Sequence, residues 1–299
     1  VARAGAAGTL GLLVLAASGG AAWGAPCGRP DIVDMVPPDG ASAVPVNATL
    51  AAHYQISAEY LGEDVLLIRP GGEGQVLPAI FDATEGLLSA TPIEPLTPGE
   101  RYEIRWPALR GLVTAAPGTG DEARFTAGDA SDEMMPTFGG VVAVRWDVER
   151  RQSDCTESIE ERMIFDVELG TAADDGGREM LTLLLFQTAG PRSPDRSIPV
   201  LARALPPEGE PVRVSLTTAD GVGEICFAAL VRDTTGRVSQ SGAQEICVET
   251  TAPPFFRSCS VGGVGGGGGL ARAASLGLLA AIATAIARRR RRRARIRGT

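Results

Sequence analysis

Short runs of alternating apolar and polar residues recur along most of this chain. In ATLAAHYQI, residues 48–56, Leu50, Ala52, Tyr54 and Ile56 fall on one face, with His53 and Gln55 on the other. In ERYEIRW, Tyr102, Ile104 and Trp106 alternate with Arg101, Glu103 and Arg105. VVAVRWDVE sets Val142, Val144, Trp146 and Val148 against Ala143, Arg145, Asp147 and Glu149, and ERMIFDVEL puts Met163, Phe165, Val167 and Leu169 on one side. A period of two sends successive side chains to opposite faces of a β-strand. Further strands are predicted at Met180–Gln187, Val212–Thr217, Glu224–Arg232 and Gln244–Glu249. Turn signals separate the runs at Pro38-Asp39-Gly40, Gly71-Gly72 and Pro98-Gly99. Short alternating strands with regular turns predict an all-β fold of the sandwich type.

The pattern breaks once in the middle and again at both ends. Residues 128–136, GDASDEMMP, are acidic and lack periodicity, so they read as a linker. They divide the body into a first β-domain, residues 28–127, and a second, residues 137–252. That division suits two small cores better than one large one.

Residues 1–24 carry one charge, Arg3, then an apolar run through Leu10, Leu12, Leu13, Val14 and Leu15, and end in small residues before a cleavage point after Gly24 or Ala25. This is the pattern of a secretory signal peptide. Cys27 follows Gly24-Ala25-Pro26, a poor lipobox with no aliphatic residue three positions before the cysteine and a proline directly before it. At the other end, residues 253–269 form a Gly-rich spacer containing Cys259, and Leu270–Ala287 is an 18-residue apolar segment. As a helix it would reach about 27 Å, just enough for a hydrocarbon core of about 30 Å. The tail, residues 288–299, opens with Arg288, Arg289, Arg290, Arg291, Arg292 and Arg293. By the positive-inside rule the tail stays cytoplasmic and the body lies outside, with the membrane as a partner through the helix.

Charge and cysteine content narrow the function. The net charge of −8 hides an asymmetry, because residues 25–258 hold 18 Arg against 36 Asp and Glu. So acidic a body argues against nucleic acid. Of the five cysteines, Cys27, Cys155, Cys226, Cys247 and Cys259, none forms a CxxC pair, and the only histidine is His53, so a Cys/His zinc site is not expected. Sparse cysteines behind an export signal point to disulfides. A Ser-His-Asp or Cys-His site would have to use His53, which reads as an exposed strand residue. Asp132-Glu133 and Asp174-Asp175 sit in linker or turn sequence and read as solvated loops, and GTAADDGGRE lacks the alternating spacing of a dedicated calcium loop. No glycine-rich loop joins a strand to a helix, so no phosphate cradle is expected. The chain is therefore expected to need no cofactor and no metal, and to be no enzyme.

Three resemblances add to this reading. DIVDMVPPDGASAVPVNATLAAHYQIS, with the later PIEPLTPGERYEIRW, resembles the bacterial Ig-like domain of surface proteins, over about 95 residues ending at FTAG. In that likeness Tyr102 of PLTPGERY takes the place of a tyrosine corner, whose hydroxyl ties back to the backbone just upstream. GEICFAALVRDTTGRVSQSGAQEICVET resembles the last hairpin of a fibronectin type III-like domain, with the turn at Asp233, Gly236 and Ser239. Ile225, Phe227, Ala229 and Val231 would then face the core and Cys226 the outer side. Pairing 226 with 247 puts the loop at about 233–240, and neighbours at a non-hydrogen-bonded pair lie within disulfide reach. Cys226–Cys247 is the favoured bridge, with Cys155 as a rival for either partner and Cys27 pairing with Cys155 or free. Finally, Cys259, the glycines from Gly262 to Gly269, Leu270–Ala287 and Arg288–Arg293 together resemble the myxobacterial C-terminal sorting signal, MYXO-CTERM. That likeness implies processing near Cys259 and delivery to the cell surface; the glycine stretch is longer than the family's pattern.

The expected protein is a tandem of Ig-like and fibronectin III-like β-sandwiches, exported and displayed at the cell surface as a binding or structural module. Extracellular proteins or polysaccharides are the expected ligand classes. An accessory or receptor subunit for a secreted enzyme, polysaccharide or envelope partner is the alternative.

Overall fold

The computed structural model describes residues 31–54, 58–72, 74–111, 120–152, 159–191, 194–240 and 244–252. Eight strands build the first unit: β1 Ile32–Val36, β2 Leu50–Tyr54, β3 Val65–Ile68, β4 Gly74–Leu77, β5 Ala79–Asp82, β6 Leu87–Ala90, β7 Arg101–Arg105 and β8 Glu122–Thr126. They form two antiparallel sheets, in the orders β1-β2-β6-β5 and β8-β7-β3-β4. Leu50, Ala52 and Tyr54 from one sheet and Leu67, Tyr102, Ile104 and Phe125 from the other share one buried core, which makes the unit a β-sandwich.

Seven strands build the second unit: β9 Val141–Gln152, β10 Ile159–Leu169, β11 Thr182–Ala189, β12 Leu201–Ala204, β13 Val212–Thr217, β14 Gly223–Arg232 and β15 Ile246–Thr250. Their sheets run β9-β10-β13 and β12-β11-β14-β15, again antiparallel, around a core centred on Met163, Phe165, Val167, Leu183, Leu185 and Phe227. Two-residue strands add small bridges, Ala58–Glu59 with Arg110–Gly111 and Thr137–Phe138 with Ala172–Ala173. Helix among the described residues is confined to single short turns at Arg178–Met180 and Thr218–Gly221. Among the described residues, no helix is long and apolar enough to cross a membrane. The signal peptide, Leu270–Ala287 and the arginine tail lie outside the described residues.

The alternating runs set these faces with two departures. Met163, Phe165 and Val167 are fully buried as predicted. In β9 the register slips between Val141 and Ala143, so Val141 enters the core and Val142 is 55% exposed. A bulge inserts one residue and resets the alternation after it; the later members Val144, Trp146 and Val148 pack against the core as expected. Met180, expected to open a strand, instead sits in the single turn before β11 and packs into the first sandwich's core.

The tyrosine corner is formed. The Tyr102 hydroxyl accepts a hydrogen bond from the Thr97 backbone N–H at 2.8 Å, and the ring stacks on Phe125 with centroids 5.6 Å apart. Pro98-Gly99 makes the intervening turn, with Gly99 at φ +72°, a conformation that costs a residue with a Cβ.

Candidate functional site

The densest polar chemistry among the described residues lies in the seam between the two sandwiches. The seam begins in β2, where all five residues are buried. Leu50, Ala52 and Tyr54 face the first core, and Ala51 and His53 face the other way, where the second unit covers them. Val36, Ala51 and Leu87 meet Ala204 of β12 in a small apolar patch. His53 is thus 1% exposed, which corrects its reading as an exposed strand residue. The alternation correctly removed it from the first core but could not say that a second sandwich closes over that face.

His53 faces Asp34 of β1, with Nδ1 2.7 Å from Oδ1. Asp34 also accepts the Ala204 backbone N–H at 2.9 Å and lies 3.3 Å from Nε of Arg203, both on β12. Burial pushes the Asp34 carboxyl up, but His53, the Ala204 N–H and Arg203 outweigh it and hold its pKa below the usual carboxylate value. One carboxylate of the first sandwich is therefore gripped by backbone and side chain of the second.

Farther along the seam, Arg232 of β14 binds Glu85, Nη2 to Oε2 at 2.6 Å, and the Thr49 N–H donates to the Thr234 carbonyl at 2.8 Å. At the end nearest the chain crossing lies a carboxylate cluster. Oxygens of Asp132, Asp174 and Asp233 all lie within 4.8 Å of one another. Asp132 and Asp233 have fully buried side chains and share one cation, Arg237. Its Nη2 is 2.8 Å from Asp132 Oδ1 and 2.6 Å from the Asp132 carbonyl, while Nε reaches Asp233 Oδ2 at 3.0 Å. Burial, then the charges of Asp174 and Asp233, push the Asp132 carboxyl up to about 7. Burial also raises Asp174, whereas Asp175 is lowered by accepting the Glu133 and Met134 backbone N–H groups.

The segment expected as a solvated linker is therefore pinned. Asn47 fixes it from the first sandwich by donating to the Asp132 carbonyl at 2.9 Å and accepting the Asp132 N–H at 2.8 Å. Asp132 is 2% exposed because the two sandwiches close over it. The three aspartates are the side chains here that could hold a cation, and the present arrangement answers their charge with Arg237.

The favoured cysteine pair is joined. Cys226 and Cys247 sit directly opposite on β14 and β15, Cα atoms 4.0 Å apart, with the sulfurs bonded. Ile225, Phe227, Ala229 and Val231 are all fully buried on the core side, as the alternation required. The Asp233–Gly236 turn follows β14 directly, with Asp233 accepting from Thr235 and Arg237. Cys259 and Arg288–Arg293 lie outside the described residues, as do Cys27 and Cys155.

No protein-family model matches the chain, and no curated protein sequence matches it. Among solved structures it is similar to the N-terminal part of the bacterial S-layer protein SbsC, at 12% identity and a TM-score of 0.28, over 74% of this chain and 44% of that one. The biofilm associated protein BSP domain gives 10% identity and a TM-score of 0.21, over 74% and 30%. Dimeric latent PorU from Porphyromonas gingivalis gives 12% and 0.26, over 75% and 20%. The chain spans less than half the length of each of these chains.

Proposed function

We propose that this is a non-enzymatic, exported cell-surface protein whose two β-sandwiches, of Ig-like and fibronectin III-like type, act together as one binding or structural module. In this reading residues 1–24 direct export, and the segment from Cys259 through Leu270–Ala287 to Arg288–Arg293 sorts and anchors the body outside. The observation that carries it is the seam. Two sandwiches sharing an apolar patch, two ion pairs and a buried aspartate cluster held by Arg237 keep a fixed mutual orientation, as a display module or spacer requires. The Cys226–Cys247 bridge adds support, because stable disulfides belong to oxidising compartments.

The test is the intact mass of the protein released from the outer surface of its native cells, together with protease shaving of whole cells. A surface-accessible chain ending near Cys259 supports sorting and display. A chain retaining the arginine tail but shaved from outside supports a single-pass anchor. Protection of the body from external protease in intact cells would overturn the surface reading.

A further inference from the structure

The outer face of the sheet β8-β7-β3-β4 carries a chemistry unlike the rest of this acidic body. Its inner side chains, Tyr102, Ile104, Ala123 and Phe125, belong to the core, so alternation turns Arg101, Glu103, Arg105, Glu122 and Arg124 outward. Over them lies an open groove of about 580 Å³, flanked by the turns at Gly40 and Gly71. Its charged lining is Arg69, Arg101, Arg105, Arg124 and a single carboxylate, Glu103. Glu100, Glu122 and Asp39 stand beside this lining, so the arginines balance the carboxylates here, in a body that otherwise holds twice as many acidic as basic residues.

The arginines are held in place. Glu103 lies directly opposite Arg124 across the ladder, and Arg105 opposite Glu122. Glu103 takes Arg105 Nε at 2.7 Å and Arg124 Nε at 3.1 Å, and Arg124 Nη2 reaches Glu122 at 3.1 Å. Hydrogen bonds from Arg105, then Arg124, keep Glu103 below the usual carboxylate value and so ionised. Each guanidinium has five N–H donors, so these contacts orient the two groups and leave donors over for a ligand. Arg69 stands over the Tyr102 ring, 5.8 Å from its centroid, and 4.0 Å from Glu100. Arg101 has no carboxylate at ion-pair distance among the described residues.

We propose that this groove binds an acidic polysaccharide, a glycan that carries carboxylate or sulfate groups among its hydroxyls. The arginines match the anionic groups by charge-assisted pairing. Glu103 and Glu122, which would repel a pure polyanion, accept hydrogen bonds from sugar hydroxyls. Such a mixed surface fits a ligand with both anions and O–H donors better than a nucleic acid, whose charge recurs about every 1.7 Å along a duplex. The glycines at the flanking turns leave open space where a side chain would stand, since a Cβ at Gly40 or Gly71 meets nothing within 4 Å. The assignment takes its biological setting from the surface-display reading, but the binding itself does not depend on it.

The experiment titrates the full chain with polygalacturonate, dextran sulfate, neutral dextran and single-stranded DNA, following binding by calorimetry at low and at 0.5 M salt. Binding to polygalacturonate alone assigns a carboxylate ligand, and binding to dextran sulfate alone a sulfated one; each supports the proposal, with loss of affinity in high salt. The double change Arg69→Glu, Arg101→Glu is expected to weaken binding about tenfold or more. Arg145→Glu, an exposed charge change on the second sandwich, is expected to leave it unaltered. Both proteins should keep the parent's melting temperature, because these side chains are solvent-facing. Failure to bind either acidic glycan, equal binding of DNA, or equal weakening by Arg145→Glu would overturn the proposal. Glycan binding by a chain that proves not to be at the surface would remove the display reading and leave the groove.

Discussion

Replacing Arg237 by methionine keeps an unbranched apolar stem and removes the cation shared by Asp132 and Asp233. Both carboxylates are wholly buried, and Asp174 stands close by, so the change leaves like charges facing one another without a counter-ion. Breaking a buried ion pair from one side costs about 3–5 kcal/mol. In a unit of this size each kcal/mol lowers the melting temperature by about 2–4 °C, so Arg237→Met is expected to melt about 10 °C lower at pH 8. The loss depends on pH in a defined direction. Asp132 has a folded value of about 7 against an ordinary value of 3.8, so the folded chain holds a proton there that the unfolded chain has released. Stability from this group is complete below the ordinary value and is lost as pH rises through about 7. Without Arg237, which opposes the rise of Asp132 and Asp174, these two take up protons more readily still, and at pH 5 protonation of Asp132 relieves the repulsion. The expected result is a large deficit at pH 8 and a small one at pH 5, read by thermal unfolding followed by circular dichroism. A deficit under about 2 °C at pH 8, or one of the same size at both pH values, would refute the reasoning.

Other perturbations probe the remaining features. Reducing the Cys226–Cys247 bridge, or replacing both residues by alanine, releases a loop with a sequence separation of 21 and should cost about 3 kcal/mol, seen as a lower urea midpoint. Tyr102→Phe removes the acceptor of a part-buried hydrogen bond from the Thr97 N–H and should cost about 1 kcal/mol with no change in secondary structure. Asp34→Ala frees the Ala204 N–H, His53 and Arg203 together; unfolding should separate into two denaturant transitions as the seam loosens, where the parent shows one. Because Asp34 is lowered in the folded chain, its contribution is present above its ordinary value of 3.8 and lost as pH falls through the folded value, so Asp34→Ala should matter less at pH 3 than at pH 7. Gly86→Ala puts a Cβ 2.9 Å from the Tyr54 carbonyl oxygen at φ +65° and should destabilise the first sandwich by about 1–3 kcal/mol in the same assay.

Much of the fold was legible because a strand with one wet face writes its burial into the sequence. ERYEIRW shows this directly, and in GEICFAALVR the alternation picked the core side while the turn residues after it favoured the register that brings Cys226 opposite Cys247. What could not be read was the seam. Asp34 and Ala204 meet across 170 positions, and no local pattern records such a meeting. A faint signal was present all the same. The outward positions of ERYEIRW are Arg101, Glu103 and Arg105, whereas those of LAAHY are Ala51 and His53, a methyl and a flat ring that suit a covered face. Asp132 was misread for a related reason, because acidic and aperiodic sequence describes a solvated linker and a pinned one equally well. The arginine groove was visible only as alternation, and its meaning came from the neighbouring strand, which supplies Arg124 and Glu122.

The position of the disulfide decides how the last strand can be lost under load. A pull on the C-terminal end of β15 would peel it from β14 one pair at a time, starting with Thr250 opposite Gly223, then Glu249 opposite Glu224 and Val248 opposite Ile225. The next pair is Cys247 with Cys226, a covalent stop. Unzipping can therefore consume three pairs and no more, after which tension passes sideways into β14. That strand lies between β11 and β15, so pulling it out means shearing a whole sheet at once. A tether attached beyond residue 252 would thus draw on the second sandwich as a single block, with its outermost strand riveted in place.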